Sequence, residues 1–223
     1  MMIPIFIVLY KMPQIERRCI ETLMQHTNLR FAEPIVYDNG PKNQNLAVVW
    51  NEMIEHYQGW RNDSDQIGVL LNTDCFVTPG WLEKLLQIMK KYEKVGFVGP
   101  MTNNCKTKQK ASLFYSSRFF KNRVLFDQRL SGFCLMFRRQ AWIDAGRFPE
   151  DSPFYGQESA LIWNAQCLGW RTAIACGCWV EHLGSASARA AELRGEIIYE
   201  EERQKGREWI AAYKVRMSQR DKD

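Results

Sequence analysis

An apolar run, Gly68-Val69-Leu70-Leu71, stops abruptly at Asn72-Thr73-Asp74. Open α/β sheets gather ligand chemistry at the carboxyl ends of their strands. An acid there, beside an amide, offers the oxygen donors that a hard divalent cation prefers. The same Asp could equally just close a turn through its own backbone. Three further spots have this character. Asp38 ends an early strand, Gly156-Gln157-Glu158 opens a late helix, and Glu181-His182-Leu183-Gly184-Ser185 follows the last strand. All four lie at element ends or in loops, where rigid scaffolds usually carry their reacting and binding side chains.

The elements that must position these residues are legible from periodicity. Ile3 to Tyr10 is β-rich, and Ile15, Cys19 and Leu23 give helical spacing within Gln14 to Asn28. Pro34 to Tyr37 is a short strand stopped by Asp38-Asn39-Gly40-Pro41, a strong turn signal. Leu46, Val49, Trp50, Met53, Ile54 and Tyr57 form an apolar helical stripe. Ile67 to Asn72 is the next strand. A helix follows with Thr78 as its expected N-cap, Pro79 just inside, and Leu82, Leu85, Leu86, Met89 and Tyr92 on one face. Val95 to Val98 is a fourth strand. This βαβαβαβ order predicts a mixed, mostly parallel central sheet flanked by helices. Later, Ser131 to Phe137 and Thr172 to Val180 read as strands, Gln140 to Ala145 as a short helix, and Glu158 to Leu168 as a helix closed by Gly169. From Arg189 onward the chain is highly charged with nearly balanced signs, which suggests a helical arm with a mostly solvated surface. The expected division is one α/β domain over 1–188 and a charged C-terminal helical extension over 189–223.

Composition bounds the function. The 223 residues are 46% hydrophobic and 13% aromatic, enough for a substantial core and against disorder. A net charge of +5 is too mild to argue for nucleic acid on its own. Seven cysteines occur without any C-x-x-C pair, so neither a zinc site nor a disulfide framework is indicated. Cys176-Gly177-Cys178 lies in an expected strand, where alternation would put both sulfurs on one face. Reduced, mostly buried thiols and the lack of a basic leader in Met1 to Tyr10 fit a cytoplasmic protein. No apolar run approaches the ~20 residues of a transmembrane helix.

Taken in order, the segments resemble family 2 glycosyltransferases of the GT-A (nucleotide-diphospho-sugar transferase) fold. The matching pieces include Asp38-Asn39-Gly40, Asn45-Leu46-Ala47 with Asn51, Leu70-Leu71-Asn72-Thr73-Asp74, and Thr78-Pro79-Gly80-Trp81-Leu82. They continue with Ser131-Gly132-Phe133-Cys134, Gly146-Arg147-Phe148-Pro149-Glu150, Phe154-Tyr155-Gly156-Gln157-Glu158 and the Glu181-His182 segment. The resemblance spans residues 3 to 188. It implies a nucleotide-diphosphate sugar donor at the carboxyl edge of the sheet. Asp38 would contact the nucleoside base, with Asn45, Asn51, Asn72 and Gly132 also on the donor side. Asn72-Thr73-Asp74 stands where the family carries its D-x-D, with an amide in the first position. Asp74, joined by His182, would then hold Mn²⁺ or Mg²⁺ against the diphosphate. An acidic pair opens the late helix in the family. Here Gln157 replaces its first member and leaves Glu158 as the general base of an inverting sugar transfer to an acceptor hydroxyl. The family often has a further acid two residues on, where this chain has Ala160.

Residues 102–123 hold Lys106, Lys108, Lys110, Arg118, Lys121 and Arg123 with no acid, interleaved with Phe114, Tyr115, Phe119 and Phe120. Such a loop suits an anionic acceptor, such as a phospholipid-linked glycan, an anionic polymer or even nucleic acid, and leaves peripheral membrane contact open. A solvated loop whose aromatics pack on the domain is the plain alternative. Two other function classes compete with the transferase. One is a non-catalytic module of the same fold that binds a nucleotide sugar or polyanionic glycan. The other is nucleotidyl transfer, disfavoured because Lys11-Met12-Pro13 rather than a glycine-rich loop follows the first strand.

Overall fold

The computed structural model describes residues 2–60, 66–113 and 123–220. Its strands are β1 (Ile3–Leu9), β2 (Ala32–Asp38), β3 (Ile67–Leu71), β4 (Cys75–Val77), β5 (Val95–Met101), β6 (Val124–Phe126), β7 (Cys134–Arg138) and β8 (Arg171–His182). The helices among the described residues are α1 (Pro13–His26), α2 (Leu46–His56), α3 (Trp81–Lys91), α4 (Arg139–Asp144), α5 (Gln157–Cys167), α6 (Ala186–Leu193) and α7 (Tyr199–Arg220).

The sheet order is β2-β1-β3-β7-β5-β8-β4, with β6 also on β8. β1 pairs in parallel with both β2 and β3, and β5 with β8. β7 runs antiparallel between β3 and β5, so β1, β2, β3, β5 and β8 point the same way. The sheet is therefore mixed and mostly parallel, the GT-A arrangement.

Central strands are apolar on both faces because helices cover both. Side-chain alternation divides β1 between two cores. Ile3, Ile5 and Ile7 join one, with Cys19 and Leu23 of α1 and Trp81, Leu85 and Met89 of α3. Phe6 and Val8 join the other, with Val49 and Trp50 of α2, Trp142 of α4 and Leu161 of α5. Each fully buried side chain of this size contributes roughly 1.5–3 kcal/mol.

Several local expectations need correction. Thr78 does not cap α3. The cap position is Gly80, at φ 74°, and the Thr78 hydroxyl instead donates to the Trp179 carbonyl at 2.6 Å. That bond ties α3's entry to β8 through the three-residue strand β4, which the sequence reading missed along with β6. Cys176 and Cys178 face opposite cores. Pro100 pairs with Ala175 and Met101 with Trp179, so three extra residues of β8 intervene, and that odd number flips the side-chain alternation around Gly177. The charged tail is helical, as expected, and most of its side chains meet solvent, but one stripe packs. Gly206 lies so close to Tyr155 that an added Cβ would sit 2.7 Å from its Cβ and 2.8 Å from its carbonyl oxygen. Tyr213 is buried, with its hydroxyl 2.7 Å from Asn164 Nδ2 on α5. None of the described helices is long and apolar enough to cross a membrane.

Candidate active site

β3 ends at Leu71, and the chain turns at once. The Asn72 amide donates to the Phe133 carbonyl at 2.9 Å, and the Cys75 amide to the Asn72 carbonyl at 3.1 Å. Asp74 sits inside this turn, only 3% exposed. β4 then pairs antiparallel with the end of β8, with Cys75 opposite His182. This register brings together residues more than a hundred positions apart. His182 Nε2 lies 3.4 Å from Asp74 Oδ2.

The His182 ring is held from several sides. It stacks on Phe133, with centroids 4.7 Å apart and planes at 16°. Its Nδ1 lies 2.7 Å from the Asn104 carbonyl, and its backbone amide donates to Asn103 Oδ1 at 2.8 Å. A carbonyl only accepts, so Nδ1 carries a proton, and Nε2 is the ring atom that faces Asp74. Metal-binding imidazoles are commonly oriented in this way. Burial, the largest influence on Asp74, opposes its ionisation. The hydrogen bond and charge of His182, with the Ala186 amide donating to Oδ2 at 3.1 Å, outweigh it and hold the carboxyl below its ordinary value. Cys75 has its sulfur in the same group, all within 4.8 Å. Burial pushes that thiol well up, and it donates to the Phe133 carbonyl at 3.2 Å, so the oxygen and nitrogen atoms are the donors suited to a hard cation.

Glu158 is the second residue of α5, behind Gly156 at φ 117°. Its side chain lies over Gly132, where an added Cβ would come within 2.5 Å of Cγ and Oε1. Burial raises its carboxyl, a shift its own backbone amide partly offsets.

Asp74, Glu158 and His182 line one cleft of about 930 Å³, together with Asn45, Asn72 and Gly132. Asp38 and Asn51 lie outside that lining. Asp38 is exposed, and its Oδ1 accepts from the Gly40 amide at 2.8 Å, closing an Asx turn. Asn51 is buried and clamps Phe148, donating to its carbonyl at 2.9 Å and accepting from its amide at 3.0 Å. Asn45 caps α2 through the Ala47 amide and holds the Ser152 carbonyl at 2.8 Å. The two asparagines thus fix the 148–152 loop that leads to Glu158.

Sequence reasoning quoted Phe133, Tyr155 and Gln157 as motif positions but gave them no site role, and it passed over Asn104 and α7, whose Arg203 and Arg207 also line the cleft. Of the basic loop, Lys106 lines the cleft, and Lys108, Lys110 and Arg123 are described. Arg118, Lys121, Phe114, Tyr115, Phe119 and Phe120 lie outside the described residues.

Residues 15–144 match the family model for Glycosyl transferase family 2. Among solved structures, the chain is similar to a crystal structure of GalNAc-T7 with UDP, GalNAc and Mn²⁺. The TM-score is 0.55 and the identity 14%, over 80% of this chain and 43% of that one. A second similar structure is the mannosyltransferase PcManGT from Pyrobaculum calidifontis in complex with GDP-Man and Mn²⁺. The TM-score there is 0.49 and the identity 13%, over 76% of this chain and 53% of the other. The chain thus spans about half the length of these structures or less. At 14% identity the likeness to the first of these speaks for the fold alone. No curated protein matches the chain.

Proposed function

The chain belongs to glycosyl transferase family 2, and from that premise we propose that it transfers a sugar from a nucleotide-diphosphate donor to an acceptor hydroxyl with inversion at the anomeric carbon. The observation that carries this reading is the meeting of Asp74, His182 and Glu158, distant in sequence, in one cleft.

Asp74 and His182 fit a divalent cation, Mn²⁺ or Mg²⁺. A buried carboxylate and an imidazole with its far nitrogen anchored are 3.4 Å apart, and two protein ligands leave room for diphosphate oxygens. When bound, such a cation supplies positive charge to the departing diphosphate. Asn72 and Gly132 bound the donor pocket, and Asp38, with Oδ1 spent on its turn, keeps Oδ2 for the nucleoside end. Glu158 takes the proton from the acceptor hydroxyl as that oxygen attacks the anomeric carbon. Its raised carboxyl suits the task, since a base works best with a pKa near the operating pH. Inversion follows from attack opposite the leaving group.

Residues 1–188 act as the transferase domain, and 189–223 as a helical extension whose α7 walls the cleft. Lys106, Arg203 and Arg207 share that wall with Glu200 and Glu202, and Arg203 pairs with Glu200 at 2.7 Å, so Lys106 and Arg207 are the cations we assign to an anionic glycan acceptor. None of the seven cysteines is in a disulfide, and we read the compartment as a reducing one such as the cytoplasm.

Thermal-shift screening against nucleotide-diphosphate sugars, with and without Mn²⁺, tests the reading. A ligand that binds only the folded chain raises its melting temperature. A metal-dependent shift for one donor is expected, followed by transfer with that donor and a product of inverted configuration by NMR. Retention of configuration, or no metal dependence for any donor, would contradict it.

A further inference from the structure

Buried polar atoms almost always find partners, and each one left without costs about 1–3 kcal/mol. Among the described residues, seven buried side-chain atoms have no hydrogen-bond partner, and three of them belong to one short segment: Ser152 Oγ, Tyr155 OH and Gln157 Oε1. All three residues line the cleft that holds Glu158, and the other four atoms belong to residues outside its lining. Gln157 is 2% exposed and Ser152 3%, so bulk water does not satisfy them.

These atoms are held in place. Ser152 is anchored by its carbonyl on Asn45 Nδ2, at 2.8 Å. Tyr155 is held at its Cβ and backbone carbonyl by the close approach of Gly206, and its ring meets Tyr199 edge-on with centroids 6.4 Å apart. Its hydroxyl has Ser185 as a neighbour but no hydrogen bond of good geometry. Gln157 is the first residue of α5, directly before Glu158.

The set is neutral, which narrows the ligand. A carbonyl oxygen only accepts, so Gln157 Oε1 asks for an O–H or N–H and would repel a phosphate oxygen. Two hydroxyls beside it both donate and accept. A polyhydroxylated ring satisfies all three, whereas an anion could take the two hydroxyls but would leave Gln157 Oε1 without a donor.

We infer that Ser152, Tyr155 and Gln157 form a sugar-hydroxyl subsite beside Glu158, in which Gln157 accepts a hydrogen bond from one particular ring hydroxyl of a substrate sugar. This rests on the transferase reading above. It makes Gln157 a specificity residue, which discriminates between sugars that carry that hydroxyl and sugars that lack it. The ring belongs to either the donor or the acceptor, and the two arms of the test separate these sources.

The test uses the full chain and Gln157→Met, which keeps bulk and removes both amide groups. Its first readout needs no substrate. Deleting an unpartnered buried atom should leave the melting temperature of the free protein at or above wild type. Its second readout is kcat/KM for the parent and each monodeoxy derivative, first in the donor sugar and then in the acceptor sugar. Wild type should lose on the order of 10–100-fold with one deoxy sugar, and Gln157→Met should treat that pair alike within about threefold. Ser152→Ala and Tyr155→Phe should each blunt the same preference in part. A clear fall in the free variant's melting temperature would mean that the amide was already satisfied and would overturn the inference. Unchanged discrimination at every ring position would also overturn it while leaving the transferase reading intact. Failure of the wild-type chain to transfer from any donor would overturn both.

Discussion

Gly132→Ala puts the assignment of Glu158 to a narrow test, because it touches the proposed base without altering it. The backbone at Gly132 lies outside the left-handed region, so alanine is strained there only by space. The new Cβ would fall 2.5 Å from Glu158 Cγ and Oε1 and 2.7 Å from Cδ, where ordinary contact begins at 3.4 Å. The Glu158 carboxylate must therefore retreat by about 1 Å. The obstructing atoms are the end of a flexible side chain, so the loss of stability should stay near the low end of the roughly 1–3 kcal/mol typical of overpacking. Catalysis is less forgiving, since a misplacement of this size costs roughly 10²-fold. That corresponds to about 2.7 kcal/mol in the barrier. Steady-state transfer with the donor found by thermal shift should show kcat down about 10²-fold, with donor KM and metal dependence nearly unchanged. The displaced carboxylate also gains solvent, so its raised pKa should relax and the acid limb of the kcat profile should move to lower pH. A variant that keeps more than half of wild-type kcat with an unmoved acid limb would refute the placement of the base.

Three other perturbations read different parts of the site. Glu158→Gln should lower kcat by about 10²–10⁴-fold. Burial raises this carboxyl in the folded chain, so stability falls as pH rises from the ordinary carboxylate value through the raised one, and the loss is complete above it. The variant should therefore melt at or above wild type at pH 8, and a marked drop there would argue against it. Asp74→Asn should abolish the Mn²⁺-dependent rise in melting temperature. Because the Asp74 carboxyl is held below its ordinary value, its stabilisation is present above that value and lost as pH falls through the lowered one. The variant should thus flatten the acid side of the stability–pH curve measured without metal, and an unchanged curve would deny the His182–Asp74 contact. Gly206→Ala drives a Cβ into Tyr155's Cβ and backbone carbonyl, which cannot swing away. It should cost about 1–3 kcal/mol in denaturant unfolding. A neutral result would mean that α7 does not pack tightly against the Tyr155 segment that precedes α5.

The framework was largely legible because long elements announce themselves by period. Ile3, Ile5 and Ile7 against Phe6 and Val8 alternate cleanly, and α3's buried residues recur at helical spacing. Asp74, Glu158 and His182 were visible as polar residues interrupting apolar elements at their ends. Three-residue strands carry no such signal. Cys75-Phe76-Val77 reads equally well as the approach to a helix, and only pairing with β8 makes it a strand. The slip around Gly177 is invisible for the same reason, since alternation counts residues and the irregularity adds three of them, an odd number, on β8 alone. Asn45 and Asn51 were placed on the donor side through the family resemblance alone, and their contacts with the 148–152 loop have no signal in the sequence. The clamp of Asn51 on Phe148 is a tertiary fact between residues 97 positions apart. The packed stripe of α7 was masked by composition. Gly206, Trp209 and Tyr213 are sparse among charges, and a packed face needs only one residue per turn.

The most direct test is crystallographic. Crystals grown with Mn²⁺ and the nucleoside diphosphate selected by thermal shift should give an anomalous peak within about 2.5 Å of both an Asp74 carboxylate oxygen and His182 Nε2, with Glu158 facing the diphosphate across the same cleft. Manganese bound elsewhere, or a nucleotide seated away from the wall formed by Asn72, Gly132 and Glu158, would contradict the assignment.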